Sequence, residues 1–356
     1  MKQINVNLGD RTYSIKVGSG LLGHLTGHFS ELNHGQKWVI ISQQSLIDQY
    51  GSILIGSLAE NGFDCDIIEI KAGEKAKSFS EYQKVVSRMM DINCDRSSTI
   101  IAFGGGVTCD LAGFVASTFM RGIDYFHIPT TLLAMVDASI GGKTGLNLNT
   151  GKNLVGTIYQ PKEVFIDPDL LSTLPKEEIV AGLGEVLKYG AIWDREFFIE
   201  IGNSLDNLDQ IDFESAIVKS CEIKAEIVSK DEFEGGLRRI LNFGHTIGHG
   251  IEAHLGYGTI RHGEAVAYGM ICAGLISNKI GLMSDDDQFV LKKSILKLPL
   301  PELPNLDVEL ILLFIRSDKK TISGRLHFVV LNGLGCATIS DEITESHIVS
   351  ALRKIQ

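Results

Sequence analysis

Residues 98–120 read STIIAFGGGVTCDLAGFVASTFM. The opening STIIAF is a short apolar run, the pattern of a buried strand. Three glycines follow, Gly104, Gly105 and Gly106, and the run to Met120 predicts a helix. Strand, glycine turn and helix in direct succession form the βα unit of a parallel sheet, and the glycines let backbone amides approach a diphosphate at the helix N-terminus. The stretch is not a G-x-G-x-x-G fingerprint, and tight packing of helix on strand is the other explanation for its glycines. Asp110, one turn into the helix, either accepts a hydrogen bond from a ligand or favours the helix dipole.

The flanking sequence extends this unit. Ile4, Val6 and Leu8, then Tyr13, Ile15 and Val17, alternate around Gly9-Asp10, which predicts a hairpin. KWVII at 37–41 reads as a buried strand, followed by a helix-length segment to about Glu60 that Asn61-Gly62 closes, and by a strand over Cys65–Ile70. GEKAKS at 73–78 is expected to open a helix reaching about Asp91. Asp124–Ile128 and Val164–Ile166 supply further strands, and between them lies PTTLLAMVDASIGGKTGLNLNTGKN, residues 129–153. Its GGKTG lacks the spacing of a nucleotide-triphosphate loop, while Lys143, Lys152 and Asn153 suit an anionic small molecule. Strands alternating with helices predict an α/β domain over residues 1–172, with a mostly parallel Rossmann-like sheet.

From Pro175 the apolar period changes to that of helices, so residues 173–356 are expected to form a mainly α-helical second domain. In LPKEEIVAGLGEVLKYGAI, residues 174–192, Glu185 and Lys188 share a helix face. A surface salt bridge is the plain reading; the glycine-rich, apolar surroundings favour a buried role. A helix over about 212–230 carries Glu222, Lys224 and Glu226, and Arg238, Arg239 and Asn242 lead into LNFGHTIGHGIEAHLGYGTIRHGEAV, residues 241–266. Four of the chain's ten histidines fall there, at 245, 249, 254 and 262. His245 and His249 share a helix face, no glutamate follows His245 to make HExxH, and His262 comes after a glycine-rich turn. His245 or His249 with His262 and one carboxylate would make a zinc site with an open position. Ala265–Ile280 predicts another helix, RSDKK at 316–320 ends a helical run, and Leu326–Leu331 reads as a strand.

Composition narrows the class. At 356 residues two domains are the default, and 44% hydrophobic with 22% charged residues is globular. The net charge of −11 argues against a nucleic-acid surface but leaves room for a local cationic pocket. No apolar signal core and no membrane-length apolar run is found, so a cytoplasmic protein without membrane partners is expected. Six cysteines, at 65, 94, 109, 221, 272 and 336, form no CxxC pair and read as reduced core thiols.

GEKAKS, FGGGVTCDLAGFVASTFMRG, PTTLLAMVDASIGGKTG, GKNLVG, AGLGEVLKYG, LNFGHTIGHGIE, HGEAV and DKK, in this order across roughly residues 70–335, resemble the 3-dehydroquinate synthase family. The resemblance implies an NAD-binding α/β domain, a helical metal domain, and a lyase of the shikimate pathway. Its reaction takes 3-deoxy-D-arabino-heptulosonate 7-phosphate to 3-dehydroquinate and phosphate, with NAD reduced and reoxidised in one cycle. It implies metal ligands Glu185, His245 and His262 for zinc or cobalt. Substrate contacts are implied at Lys188, Lys224, Arg238, Asn242, His249, Lys143, Lys152 and Asn153, and at one of Lys319 or Lys320. Cofactor positions are implied at Glu74, Lys77, Gly104, Gly105, Gly106, Asp110, Thr130, Thr131 and Asp137, with Lys143 and Lys152 beside them. Arg121 is implied to reach the neighbouring subunit of a homodimer. Gln43, in ISQQSL, departs from the Asp or Asn the family uses for a ribose hydroxyl. A related sugar-phosphate cyclase, such as a 2-deoxy-scyllo-inosose or valiolone synthase, a metal-dependent polyol or alcohol dehydrogenase, and an inactive NAD-binding scaffold are the rival readings.

Overall fold

A computed structural model describes all residues except 29–36, 61, 64, 149–150, 257 and 319–326. Lys319, Lys320 and Asn61 therefore lie outside the described residues. Two compact units result: Met1–Leu174 with Ile217–Ser229, and Pro175–Ala216 with Lys230–Gln356.

In the first unit β1 (Lys2–Val6) pairs antiparallel with β2 (Tyr13–Val17), Ile4 opposite Ile15. There follow β3 (Trp38–Ser42), α1 (Gln44–Ala59), β4 (Cys65–Glu69), α2 (Phe79–Asp91), β5 (Thr99–Gly104), α3 (Gly106–Thr118), β6 (Asp124–Pro129), the hairpin β7 (Lys143–Leu148) with β8 (Gly151–Ile158), and β9 (Glu163–Ile166). The main sheet has the order β1-β2-β9-β6-β5-β3-β4, parallel throughout except at the β1–β2 edge. Every residue of β3 and β5 is buried, as central strands covered on both faces must be. Leu111, Ala112, Val115 and Ala116 of α3 complete a core with Ile41, Ile100 and Ala102. From β3 the chain runs to β4 on one side and then to β5 on the other. The strand order thus reverses between β3 and β5, and the crevice beyond their carboxyl ends is where open α/β sheets bind ligands. Gln43 follows the end of β3, and Gly105 and Gly106 follow the end of β5.

Three local expectations change. GEKAKS forms a single 3-10 turn, Glu74–Ala76, and the helix waits for Ser78, whose hydroxyl caps it by accepting from the Glu81 amide at 3.3 Å. The helix after the glycines stops at Thr118, because Met120 and Arg121 take left-handed φ angles of 49° and 70°. Residues 129–153 form more than turns: a π-helical turn over Ala134–Ala138, then the β7–β8 hairpin, tied by the Thr144 and Thr157 hydroxyls at 2.8 Å. The alternation in KTGLNL carried that strand signal.

The remaining chain provides α4 (Lys176–Trp193), α5 (Arg195–Ser204), α6 (Phe213–Lys230), α7 (His245–Leu255), α8 (His262–Lys279), α9 (Asp285–Ile295), α10 (Val308–Asp318), the small antiparallel pair β10 (Phe328–Leu331) and β11 (Ala337–Ser340), and α11 (Glu345–Leu352). Most of α6 belongs to the first unit; its Cys221 thiol sits 3.5 Å from the Met135 carbonyl. In the second unit α4 is buried without interruption from Ile179 to Ile192, so the other helices wrap it. Helix α8 starts at His262, three residues before the expected Ala265, because the Glu264 carboxylate accepts from the Arg261 amide at 2.8 Å and caps the first turn. All six cysteines are free, but not all are core thiols: Cys65 is half-buried, and Cys336, at the turn between β10 and β11, is exposed. Among the described residues no helix is long and apolar enough to cross a membrane.

Candidate metal centre and dinucleotide loop

The second unit brings Glu185, Lys188, His245, His249 and His262 together. Glu185 lies mid-way along α4, fully buried, and the Lys188 ammonium, 1% exposed, pairs with its Oε2. Among the described residues neither carboxylate oxygen receives a hydrogen bond of good geometry. Oε1 instead faces Nε2 of His245 at 3.7 Å and Nε2 of His262 at 3.8 Å. Ligand atoms roughly 2.1 Å from a tetrahedral zinc stand about 3.4 Å apart, so this spacing accommodates a cation after small adjustment. His249 joins the cluster, with one ligand atom from each of the three histidines within 4.8 Å of the others.

The chemistry of the donors fits a metal. A buried carboxylate with one ammonium on Oε2 and two imidazole nitrogens beyond hydrogen-bond reach of Oε1 is costly unless a further cation completes it. His245 is held well below the ordinary histidine value by burial first, then by Lys188, His262 and His249, so its imidazole is neutral and its lone pair available. The Nδ1 atoms point away from the cluster, that of His245 toward the Phe243 carbonyl at 3.2 Å and that of His262 toward Glu252 Oε2 at 3.0 Å. Arg238 and Asn242 come from the neighbouring turn. Asp231 accepts from the Arg238 amide at 3.0 Å, and Glu234, itself left-handed at φ 59°, accepts from Asn242 Nδ2 at 2.7 Å. The buried Arg238 guanidinium also donates to the Glu232 carbonyl. Glu252, Asp231 and Glu234 were not singled out from the sequence. Glu252 was findable: it lies seven residues after His245, hence on the same face of α7.

The first unit holds the other residues. Helix α3 begins at Gly106 with no side-chain cap on Gly105, leaving first-turn amides for an anion. Gly104 is required by packing as well: a Cβ there would lie 2.4 Å from the Thr108 hydroxyl oxygen. Both readings of the triple glycine therefore have a physical basis. Lys77, 4% exposed, reaches Asp110 Oδ2 at 2.5 Å and the Asn153 side-chain oxygen, with Glu74 at 3.8 Å. Burial opposes its charge, but Asp110 and Glu74 outweigh that and hold the Lys77 value above its usual one. Asn147 ties this group together, donating to Glu74 at 2.7 Å and accepting from the Asn153 amide at 2.8 Å. Asp137, in the π-helical turn, accepts from Lys224 Nζ at 2.6 Å. Thr130 is buried after β6, and the Thr131 hydroxyl accepts from the Ala134 amide at 3.2 Å. On the hairpin Lys143 is exposed and Lys152 half-buried, while Gln43 is half-buried at the start of α1 and makes no side-chain cap. Arg121 is exposed on its left-handed backbone.

Residues 67–181 match the family model for the 3-dehydroquinate synthase N-terminal region, and residues 182–321 match that for its C-terminal region. The chain belongs to the 3-dehydroquinate synthase family. A 3-dehydroquinate synthase from Microcystis aeruginosa is 45% identical over 355 residues, covering 98% of this chain and 97% of that protein. Among solved structures, a 2-epi-5-epi-valiolone synthase from Streptomyces hygroscopicus subsp. jinggangensis, with NAD+ and Zn2+ bound, matches with a TM-score of 0.88 at 28% identity, covering 96% of each chain. A 2-deoxy-scyllo-inosose synthase complexed with carbaglucose-6-phosphate, NAD+ and Co2+ matches equally, with a TM-score of 0.88, 28% identity and 99% of each chain. The membership bears out the enzymatic reading and the α/β-plus-helical fold, and it sets aside the inactive scaffold.

Proposed function

We propose that this chain converts 3-deoxy-D-arabino-heptulosonate 7-phosphate into 3-dehydroquinate and phosphate with a divalent metal at Glu185, His245 and His262 and NAD at the Gly104–Gly106 turn. The observation that carries the metal assignment is the buried Glu185 carboxylate faced by two imidazole Nε2 atoms. The solved cyclases, with NAD+ and Zn2+ or Co2+ bound, support the cofactor pair. When bound, the metal supplies Lewis acidity toward substrate hydroxyls, and NAD supplies a reversible hydride acceptor, so net redox is zero.

The chain's own residues hold and orient a flexible, multiply anionic substrate. Lys188 offsets the Glu185 charge and adds to burial in keeping His245 neutral. Arg238 and Asn242, preset by Asp231 and Glu234, offer guanidinium and amide donors to substrate oxygens. His249, beside the metal ligands, handles a proton or binds phosphate. Lys143, Lys152, Asn153 and Lys224 supply further polar contacts. Glu74, Lys77, Thr130, Thr131, Asp110 and Asp137 line the cofactor side, with Gln43 in place of a ribose-binding acid. One of Lys319 or Lys320 meets the substrate carboxylate. The protein acts in the cytoplasm as a homodimer in which Arg121 serves the partner's substrate phosphate, without nucleic-acid or membrane partners.

The stoichiometry of NAD tests the reading. Purified protein with zinc, substrate and a trace of NAD is expected to form many equivalents of dehydroquinate and phosphate per NAD, with no parallel rise in free NADH. A polyol dehydrogenase stops when NAD is exhausted and releases no phosphate. Another cyclase of the superfamily leaves this substrate unconverted. A product-to-NAD ratio of one or below, with NADH accumulating, would remove the assignment.

A further inference from the structure

We infer that Glu252 is a positioning residue for the metal centre, holding His262 in the tautomer that carries its proton on Nδ1 and presents a bare Nε2. The inference rests on the metal reading of Glu185, His245 and His262. Glu252 sits on α7, on the face that also carries His245 and His249, and its side chain crosses to the first residue of α8. It is 1% exposed, with Oε2 3.0 Å from His262 Nδ1. The Nε2 atom of the same ring lies 3.8 Å from Glu185 Oε1. An ionised carboxylate only accepts, so Nδ1 must donate. A neutral imidazole has one ring proton, so with that proton on Nδ1 the Nε2 atom carries none. The Phe243 carbonyl stands in the same relation to His245 Nδ1 at 3.2 Å. The two histidines are thus oriented alike by different acceptors. A carboxylate is costly to bury where an apolar side chain of similar size would fill the space, so its position behind His262 argues for its acceptor role. Carboxylates behind ligating histidines fix the ring and raise its basicity, and their loss typically costs about 10–100-fold in metal affinity.

Two measurements on metal-free protein test this. Zinc affinity is read by competition with a chromophoric chelator for the unaltered protein, Glu252→Gln and His262→Ala. Nitrogen-15 spectra of histidine-labelled protein read the His262 tautomer, with its signals assigned by their loss in His262→Ala. The unaltered protein is expected to show His262 protonated on Nδ1. Glu252→Gln is expected to weaken zinc about 10–100-fold, because the amide can turn its NH2 toward Nδ1 and favour the opposite tautomer. Its melting curve without metal and its NAD affinity should match those of the unaltered protein. Unchanged zinc affinity in Glu252→Gln, or a proton on Nε2 in the unaltered protein, overturns the inference. If Glu252→Gln does not fold, the tautomer of the unaltered protein decides alone. If the unaltered protein binds no zinc, or His262→Ala binds it as tightly, the metal reading falls and takes this inference with it. Zinc binding that depends on His262 but not on Glu252 removes the inference alone.

Discussion

His127 shows what burial by itself does to a histidine. It sits within β6 beside Tyr125, its Nδ1 makes no hydrogen bond among the described residues, and burial alone pushes its value down to about 3. The folded value lies below the unfolded one, about 6.5, so the unfolded chain takes the proton first as pH falls. Folding stability therefore declines below about pH 6.5, with a slope approaching 1.4 kcal/mol per pH unit from this residue, and the contribution levels off near pH 3. Above pH 6.5 the residue contributes nothing. His127→Leu is expected to lessen the decline by about that slope. Urea unfolding of metal-free protein at two pH values between 4.5 and 6, a window of about 1–2 kcal/mol, measures it. An unchanged slope would mean that water reaches the ring. At His245 burial is joined by Lys188 and two neighbouring imidazoles, and a carboxylate stands opposite. That pairing of neutral base and buried acid separates a ligand candidate from a core histidine.

At the scale of elements, the metal centre depends on how closely α8 approaches α4. Gly263 follows His262 directly, and a Cβ on it would lie 1.8 Å from the Ala181 carbonyl oxygen. A Cβ on Gly184, the neighbour of Glu185, would lie 2.5 Å from the Gly263 carbonyl oxygen. Both obstacles are backbone, so neither yields by a side-chain rotation. Outside this contact Arg261 ties the same two helices, its Nε 2.9 Å from Glu178 on α4. The glycines thus set the distance between Glu185 and His262, and the arginine closes the edge. Gly263→Ala is expected to cost about 1–3 kcal/mol through overpacking. It should also weaken zinc about tenfold or more by moving one ligand away from the others. Thermal unfolding and chelator competition on the same samples read both effects. A stability loss with unchanged zinc affinity would show that α8 shifts without carrying His262 with it.

At the scale of the whole molecule, the homodimer reading has a test that needs no structure. Arg121 is exposed and held by two successive left-handed residues, which a non-glycine chain adopts at some cost. Such an arginine makes sense if its target lies outside its own chain. Arg121→Ala and His262→Ala are each expected to be nearly inactive. Mixed after unfolding and refolding together, they should recover roughly a quarter of the unaltered activity, since half the dimers are mixed and each of those has one intact site. No recovery on mixing, with dimers shown by sedimentation, would place Arg121 in its own chain's site.

Much of this fold was legible in the sequence because its signals are local. The apolar runs of β3 and β5, the triple glycine before α3 and the change of period at Pro175 each act within a few residues. The histidine spacing of α7 is equally local. Where tertiary contacts decide, the local signal fell short. The β7–β8 hairpin looked like a string of turns because its glycines serve cross-strand packing. The cut between units does not follow the chain once, because most of α6 packs with the first unit through residues such as Cys221. Spacing placed two histidines on one helix face but had no means of showing that Glu185 and Lys188, 60 and 57 residues before His245, lie buried against them. Nor did it show Glu252 behind His262. Those positions depend on helices meeting at distances that only packed backbones define, and a buried charge acquires its role from whatever faces it.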